Sequence, residues 1–323
     1  MFPHTVDATR MSDGKLVSIK RIRTGSTESR IATILCSPPL NDDPTNHCVP
    51  ILDMFEDDED AVASYMVMPF LRHFDDPPFE CVDDVLDFGE QMLEGLSFLH
   101  KNGVAHRDGS YANLMMDGGP LLPQGFHPTR TAFLPDCRTV AWPLSRSHNP
   151  VKYYFIDFGL SVYIPSDVQP KLTTGCYGRD QEPPELSDMN PYDPFKLDIY
   201  TMGNVFCKDF YDKFNNVGFL HQIIEAMARE NPGKRPSAAE ALEQWQHMRK
   251  QELTEEPPFG VTWLQTAAPD KSLLVPKSPR YTYRVSHANM SALFSRQDSE
   301  GELRCMQAAM GPWSALQPRH PCK

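Results

Sequence analysis

A chain of 323 residues, 40% of them hydrophobic, has enough apolar material for one large domain or two small ones. A formal net charge of −12 argues against a nucleic-acid binder, since a phosphate backbone needs a basic footprint. No run of 18 apolar residues exists and no apolar core follows Met1, so neither a membrane partner nor a signal peptide is expected.

Residues 1–70 read as β-rich. The stretch KLVSIKRI (15–22) alternates and follows the turn SDG, which suggests a hairpin. Two further apolar runs, CVPILDMF (48–55) and ASYMVMPF (63–70), read as strands joined by EDDED, a solvated acidic turn. Before them lies STESRIATIL, the one helix candidate of this part, with Ser26 or Thr27 as its cap. The strongest helix is DDVLDFGEQMLEGLSFLHKNG (83–103). Val85, Phe88, Met92, Leu96 and Leu99 recur there at helical spacing, with Asp83 and Asp84 at the start and Gly103 at the end. VKYYFIDF (151–158) reads as an apolar strand. FLHQIIEAMA (219–228) and PSAAEALEQWQHM (236–248) read as amphipathic helices, the second opening on Pro236. After about Lys250 the chain has prolines, serines and no sustained period. It is expected to be mostly disordered, with a packed piece near Trp263. Eight cysteines are scattered with no C-x-x-C pair, so a zinc site is not expected. They fit a reduced intracellular protein, cytoplasmic or nuclear.

Short motifs stand on these elements in a fixed order. VSIK ends at Lys20 inside a strand. HRDGSYAN (106–113) places Asp108 five residues before Asn113. DFG (157–159) follows a buried-looking strand, PPE ends at Glu185, DIYTMG begins at Asp198, and GKRPSAAEAL holds Arg235. In this order they resemble the protein-kinase fold, over residues 1 to about 250. The phrases NHCVPILD, DDPPFE and YYFIDFGLS further resemble a divergent kinase-like family expanded in fungi. The resemblance implies a bilobal α+β fold. Residues 1–70 would form a partial small lobe, 71–250 a mainly helical large lobe with an insert at 118–150, and 251–323 a tail.

The resemblance also implies roles. The protein's task in phosphoryl transfer is to neutralise phosphate charge, hold metal and align a hydroxyl. Asp108 matches the residue that accepts or orients the substrate hydroxyl. Asn113 and Asp157 match the ligands of Mg2+, a hard cation that prefers oxygen donors. Lys20 matches the lysine on the ATP phosphates, and the hinge residues Met68, Pro69, Phe70 and Leu71 would give backbone hydrogen bonds to adenine. Taken singly, Asp108 would be a loop aspartate, Asn113 and Asp157 turn formers, and Lys20 an exposed strand lysine. Glu28 is the one glutamate between Lys20 and Phe55. It reads either as the partner of Lys20, at a short separation, or as an exposed first-turn residue favoured by the helix dipole. His106 and Arg107 would brace the catalytic loop, Arg107 also being suited to receive a phosphate on the activation segment. Asp198 would tie down the backbone of that loop. Glu185 and Arg235 would form a buried ion pair, whose breaking costs about 3–5 kcal/mol.

The sequence also departs from the family. The glycine-rich loop normally ends about 17 residues before the strand lysine. Here only Gly14 precedes Lys20. The chain is expected to start inside that loop, as an incomplete gene product or as a protein lacking a phosphate lid, with weaker ATP binding. Ser110 stands where a lysine usually stabilises the migrating phosphoryl group, and a cation would have to come from elsewhere. The insert reads as a surface loop or as a docking element beside the site, and its His127 and His148 are not spaced as metal ligands. Gly178 stands where a threonine is usual, seven residues before Glu185, which bears on recognition of a protein substrate. The expectation is an ATP- and Mg2+-dependent protein serine/threonine kinase. The alternative is a pseudokinase, a binding or scaffolding module with weak or no catalysis.

Overall fold

The computed structural model describes residues 5–254 and 262–266. The first part is a four-stranded antiparallel sheet with one helix. Strand β1 (Thr5–Thr9) turns at Gly14, φ +70°, into β2 (Leu16–Arg23). Helix α1 (Thr27–Leu35) follows, then β3 (Asp53–Glu56) and β4 (Ala63–Pro69), in the sheet order β1-β2-β4-β3. The two-residue period of β2 puts Ser18, Lys20 and Ile22 on one face, in register with Met68, Met66 and Ser64 of β4. Ile22, Met66 and Ala32 of α1 bury together and hold the helix against that face.

The expected strand at 48–55 forms only from Asp53. Pro50 has no N–H to give a ladder. Cys48 instead makes a parallel bridge to Phe155, and Val49 N–H donates to the Phe155 carbonyl at 3.0 Å. This strap is therefore held by the second part of the chain.

That second part runs β5 (Arg72–His73), α2 (Val82–Lys101), β6 (Val104–Ala105), β7 (Leu114–Met116), β8 (Tyr153–Phe155), β9 (Val162–Tyr163), α3 (Pro194–Phe206), α4 (His221–Met227) and α5 (Ala238–Thr254). All five apolar residues read as one stripe of α2 are buried. Trp245 of α5 is fully buried against it, and its indole donates to the Leu86 carbonyl at 3.0 Å. Gly89 is needed there, because a Cβ would lie 2.0 Å from the Trp245 ring. Helix α5 starts two residues later than expected. Ser237 is its cap: Glu240 N–H donates to Ser237 Oγ at 3.3 Å and Ser237 N–H to Glu240 Oε2 at 2.7 Å, a reciprocal box that leaves Pro236 outside. The strand at 151–158 shrinks to Tyr153–Phe155, since Ile156 N–H turns to the Asn113 carbonyl and Asp157 adopts φ +64°.

The insert 118–150 has no helix or strand, yet it is stitched down. Leu121 and Leu122 are buried, and so is Arg146, whose guanidinium donates to the Phe74, Pro77 and Pro78 carbonyls and lies over the Phe79 ring. Arg72 donates to the Thr131 carbonyl at 2.9 Å and lies over Phe126, so the insert sits on the segment that links β4 to α2. The packed piece expected near Trp263 is residues 262–266. Val82 N–H donates to Thr262 and Leu264 N–H to Glu80, with Leu264 rather than Trp263 against the core. The rest of the expected disordered tail, from 255 to 261 and from 267 onward, lies outside the described residues.

Candidate active site

A cavity of about 450 Å³ opens between the sheet and the helical part, a volume suited to a nucleotide-sized ligand. The four expected hinge residues Met68, Pro69, Phe70 and Leu71 line it, with Ser18, Lys20, Glu28, Ala32 and Asp157. Of the hinge, Pro69 has no N–H, and Phe70 N–H leans back to the Leu16 carbonyl at 3.4 Å. Three residues of the insert, Pro128, Thr129 and Thr131, also reach the cavity wall. A place beside the site was one of two readings of the insert in the sequence, and which of its residues reach the wall depends on where it is anchored.

At the inner end of the cavity, Lys20 Nζ lies 2.5 Å from Glu28 Oε1 and 2.9 Å from Asp157 Oδ1. Glu28 is thus the partner of the lysine, not an exposed first-turn residue. The separation of eight residues is bridged by a tight turn at Gly25, φ +65°. Ser26 caps α1 by accepting from Ser29 N–H, which aims the first turn at the cavity. Burial works against the Lys20 charge, but the Glu28 and Asp157 carboxylates outweigh it and raise the ammonium's pKa. Burial likewise pushes Asp157 up, and the Lys20 ammonium overrides it and holds the carboxyl below its ordinary range.

The catalytic-loop segment enters from β6. Asp198 accepts His106 N–H at 2.8 Å, Arg107 N–H at 2.7 Å and His100 Nε2 at 2.9 Å. It pins a backbone in which Arg107 takes φ +64°, a left-handed conformation a non-glycine residue keeps only when its surroundings enforce it. His106 is fully buried against the Phe155 and Phe158 rings. Its Nδ1 accepts Asp108 N–H, which assigns the ring proton to Nε2 and its donation to the Ile156 carbonyl. Arg107 does not stand open to a phosphate. Its guanidinium donates to the carbonyls of Leu160, Thr174 and Gly175 and to the Tyr192 hydroxyl, so it braces the activation segment directly.

Asn113 ends the short 3-10 turn Tyr111–Asn113. Its amide nitrogen donates to Asp108 Oδ2 at 2.8 Å and to the Asp108 carbonyl at 2.9 Å. Its amide oxygen is buried and meets no partner among the described residues. An orphaned buried acceptor is costly unless something occupies it. The Asp157 contacts with Lys20 and Gly159 both fall on Oδ1. One amide oxygen and one carboxylate oxygen are the donor set a magnesium ion accepts when phosphate and water complete its octahedron. Among the described residues no group of three or more His, Cys, Asp or Glu is placed to hold a metal.

Asp108 is buried apart from a small window, and burial raises its carboxyl pKa; the Arg179 N–H, the Arg179 charge and the Asn113 amide act in the other direction. Arg179 was not singled out in the sequence. Its N–H donates to Asp108 Oδ1 at 2.7 Å and its Nε lies 3.7 Å from Oδ2. Remote from the cavity, Arg235 and Glu185 form the expected ion pair through two hydrogen bonds, with the guanidinium also on the Lys196 and Arg229 carbonyls. This pair belongs to the scaffold.

The protein kinase domain family model matches residues 2–215. A probable casein kinase II subunit alpha homolog of Encephalitozoon cuniculi (strain GB-M1) is 24% identical over 168 residues, covering 51% of this chain and 42% of that relative. The chain thus spans less than half the length of this curated relative.

Proposed function

The chain belongs to the protein kinase domain family, and from that premise we propose that it transfers the γ-phosphate of ATP to a serine or threonine hydroxyl of a protein, with Mg2+. The observation that carries this reading is the buried, unpartnered amide oxygen of Asn113 beside an Asp108 held in place by the same amide. A scaffold has no physical use for an acceptor left without a partner at that point, whereas a magnesium ion that also takes phosphate oxygens does.

Each residue then has a task. Met68, Pro69, Phe70 and Leu71 line the cavity where their backbone would meet the adenine. Lys20, oriented by Glu28, binds the ATP phosphates. Asn113 and Asp157 would hold Mg2+, which when bound neutralises phosphate charge. Asp108 takes up the proton of the attacking hydroxyl. Burial raises its pKa, which makes it a better base than an ordinary carboxylate. Ser110 and Gly178 speak for the rival reading, a kinase-fold module that binds without transfer.

Thermal unfolding with and without ATP and Mg2+ tests the proposal. ATP at 100 times its dissociation constant should stabilise the protein by about 2.7 kcal/mol, and Asp157→Asn should lose most of the magnesium-dependent part. No shift in the unsubstituted protein would sink ATP binding. A shift without phosphate appearing on any peptide or on the protein itself would establish the rival.

A further inference from the structure

Between Asp108 and Asn113 the catalytic loop reads Gly109, Ser110, Tyr111, Ala112 and carries no cation. The Ser110 hydroxyl oxygen is buried and meets no partner among the described residues. Phosphoryl transfer spreads negative charge over three equatorial oxygens, and fixed positive groups aimed at that charge are the main source of rate. The charge must be met from another element.

The activation segment brings one. Arg179 is fastened to the base by its own backbone, through the 2.7 Å bond from its N–H to Asp108 Oδ1. Its Nε lies 3.7 Å from the other carboxylate oxygen and the side chain is 48% exposed, so the guanidinium lies beside the base. Gly178 is what permits the approach. A Cβ there would stand 2.7 Å from the Arg107 carbonyl oxygen, a distance no real side chain adopts. The absence of a threonine at this position is therefore tied to the presence of the arginine at the next. The flanks are also fixed: Asp180 accepts from Asn204 of α3 at 2.6 Å, and Gln181 donates to the Cys176 carbonyl at 2.9 Å.

We propose that Arg179 is the cation that meets the phosphoryl group during transfer, in place of a charge on the catalytic loop at Ser110; this rests on the phosphotransferase reading above. In the step, the substrate hydroxyl oxygen forms a bond to the γ-phosphorus and its proton passes to Asp108. The bond from that phosphorus to the bridging oxygen breaks, and its electron pair leaves with ADP. Arg179 makes and breaks no covalent bond. Its guanidinium N–H groups donate to the non-bridging oxygens as their charge grows. A planar fork of donors that stays charged at every accessible pH suits this better than a hydroxyl.

The test uses the full chain as the unsubstituted protein, Arg179→Gln, Arg179→Lys, and the double variant Arg179→Gln with Ser110→Lys. Calorimetry measures the affinity for Mg·ADP alone and for Mg·ADP with aluminium fluoride, a mimic of the group in flight. Peptide phosphorylation gives kcat and KM. Arg179→Gln should bind Mg·ADP within about twofold of the unsubstituted protein, yet bind the fluoride complex and turn over roughly 10²-fold more weakly, as for loss of one charge-stabilising donor. Arg179→Lys should fall between them, and it keeps the test open if Arg179→Gln does not fold. Ser110→Lys in the Arg179→Gln background should restore at least part of the fluoride affinity, which a merely structural role for Arg179 would not allow. Equal fluoride affinity with and without the arginine, or no restoration by the loop lysine, overturns the proposal while leaving nucleotide binding intact. If the unsubstituted protein binds neither complex, the phosphotransferase reading fails and this proposal falls with it.

Discussion

The two sides of the proposed catalytic centre are built on different terms. On the nucleotide side, Lys20, Glu28 and Asp157 come from a strand, a helix and a loop, and join in one chain of opposite charges. Each has its charge met by another, so changing one strands the rest. On the acceptor side, Asp108 is held by Asn113 and Arg179, while Ser110 and Gly178 depart from the family pattern. A cation there need only reach the place where charge develops, and it can arrive on any element that passes the base. Interlocked charges resist substitution; a charge that acts through space can be moved to another part of the chain.

If the sides are separable in this way, Asp108→Asn should divide them most sharply. Transfer should drop by about 10²–10⁴-fold with the general base removed, while stabilisation by ATP and Mg2+ stays within the error of the melting measurement. The amide is isosteric and can keep an oxygen toward the Asn113 amide or the Arg179 N–H. A variant that lost nucleotide binding together with transfer would show that the two sides are one cooperative unit, and would break the comparison.

Acid should divide them next. Burial raises the Asp108 carboxyl, so on acidification the base is neutralised above the ordinary aspartate range. The groups facing it are Asn113, His106 and Arg179, and none of them cancels the effect of burial. Asp157 is held below that range by Lys20 and keeps its charge to lower pH. Its pairing contributes stability that is present above the unfolded aspartate value of about 3.9, and this is lost only as pH falls through the lowered folded value. Lys20, raised, stays charged to the alkaline side, and its contribution is lost only as pH climbs through that folded value. Transfer should therefore fail at a higher pH than Mg·ADP binding as a titration proceeds downward. Coincident loss of both would contradict the division.

The nucleotide side was legible in the sequence because its residue types are forced and its elements are locally encoded. Lys20 lies in an alternating strand, Glu28 is the one acid on the one nearby helix, and Asp157 follows an apolar run. What the sequence left open was whether a turn short enough to join Lys20 to Glu28 existed, and Gly25 supplies it. The acceptor side was half legible. Asp108 and Asn113 announce themselves by spacing, but Arg179 does so only through a contact across 71 residues. No period or cap encodes such a contact. The same holds for the insert, which reads as a surface loop or a docking element although its Arg146 is a buried staple on the carbonyls of Phe74, Pro77 and Pro78. The 48–55 run misled because apolar residues bury equally well in a ladder or against another lobe, and only Pro50 hinted at the second.

The smallest effect tests the nucleotide side at its most local support. Ser26 does not touch the cavity; it caps α1 two residues before Glu28. Ser26→Ala should cost about 1 kcal/mol of helix stability, concentrated in the first turn, where Glu28 is the one acidic residue. Fraying of that turn releases Lys20 from one of its two carboxylates and leaves Asp157 as its remaining partner. The lysine then leans on Asp157, the proposed metal ligand, and phosphate contact should weaken. A loss of about 1 kcal/mol corresponds to roughly a fivefold weaker Kd for Mg·ATP, and kcat at saturating ATP should change far less. Calorimetry at neutral pH on Ser26→Ala, with Ser26→Asp as the variant that restores a capping oxygen, reads this directly. An unchanged Kd would mean that Glu28 is held by packing of α1 alone, and that the sequence signal at the cap governs the helix but not the site.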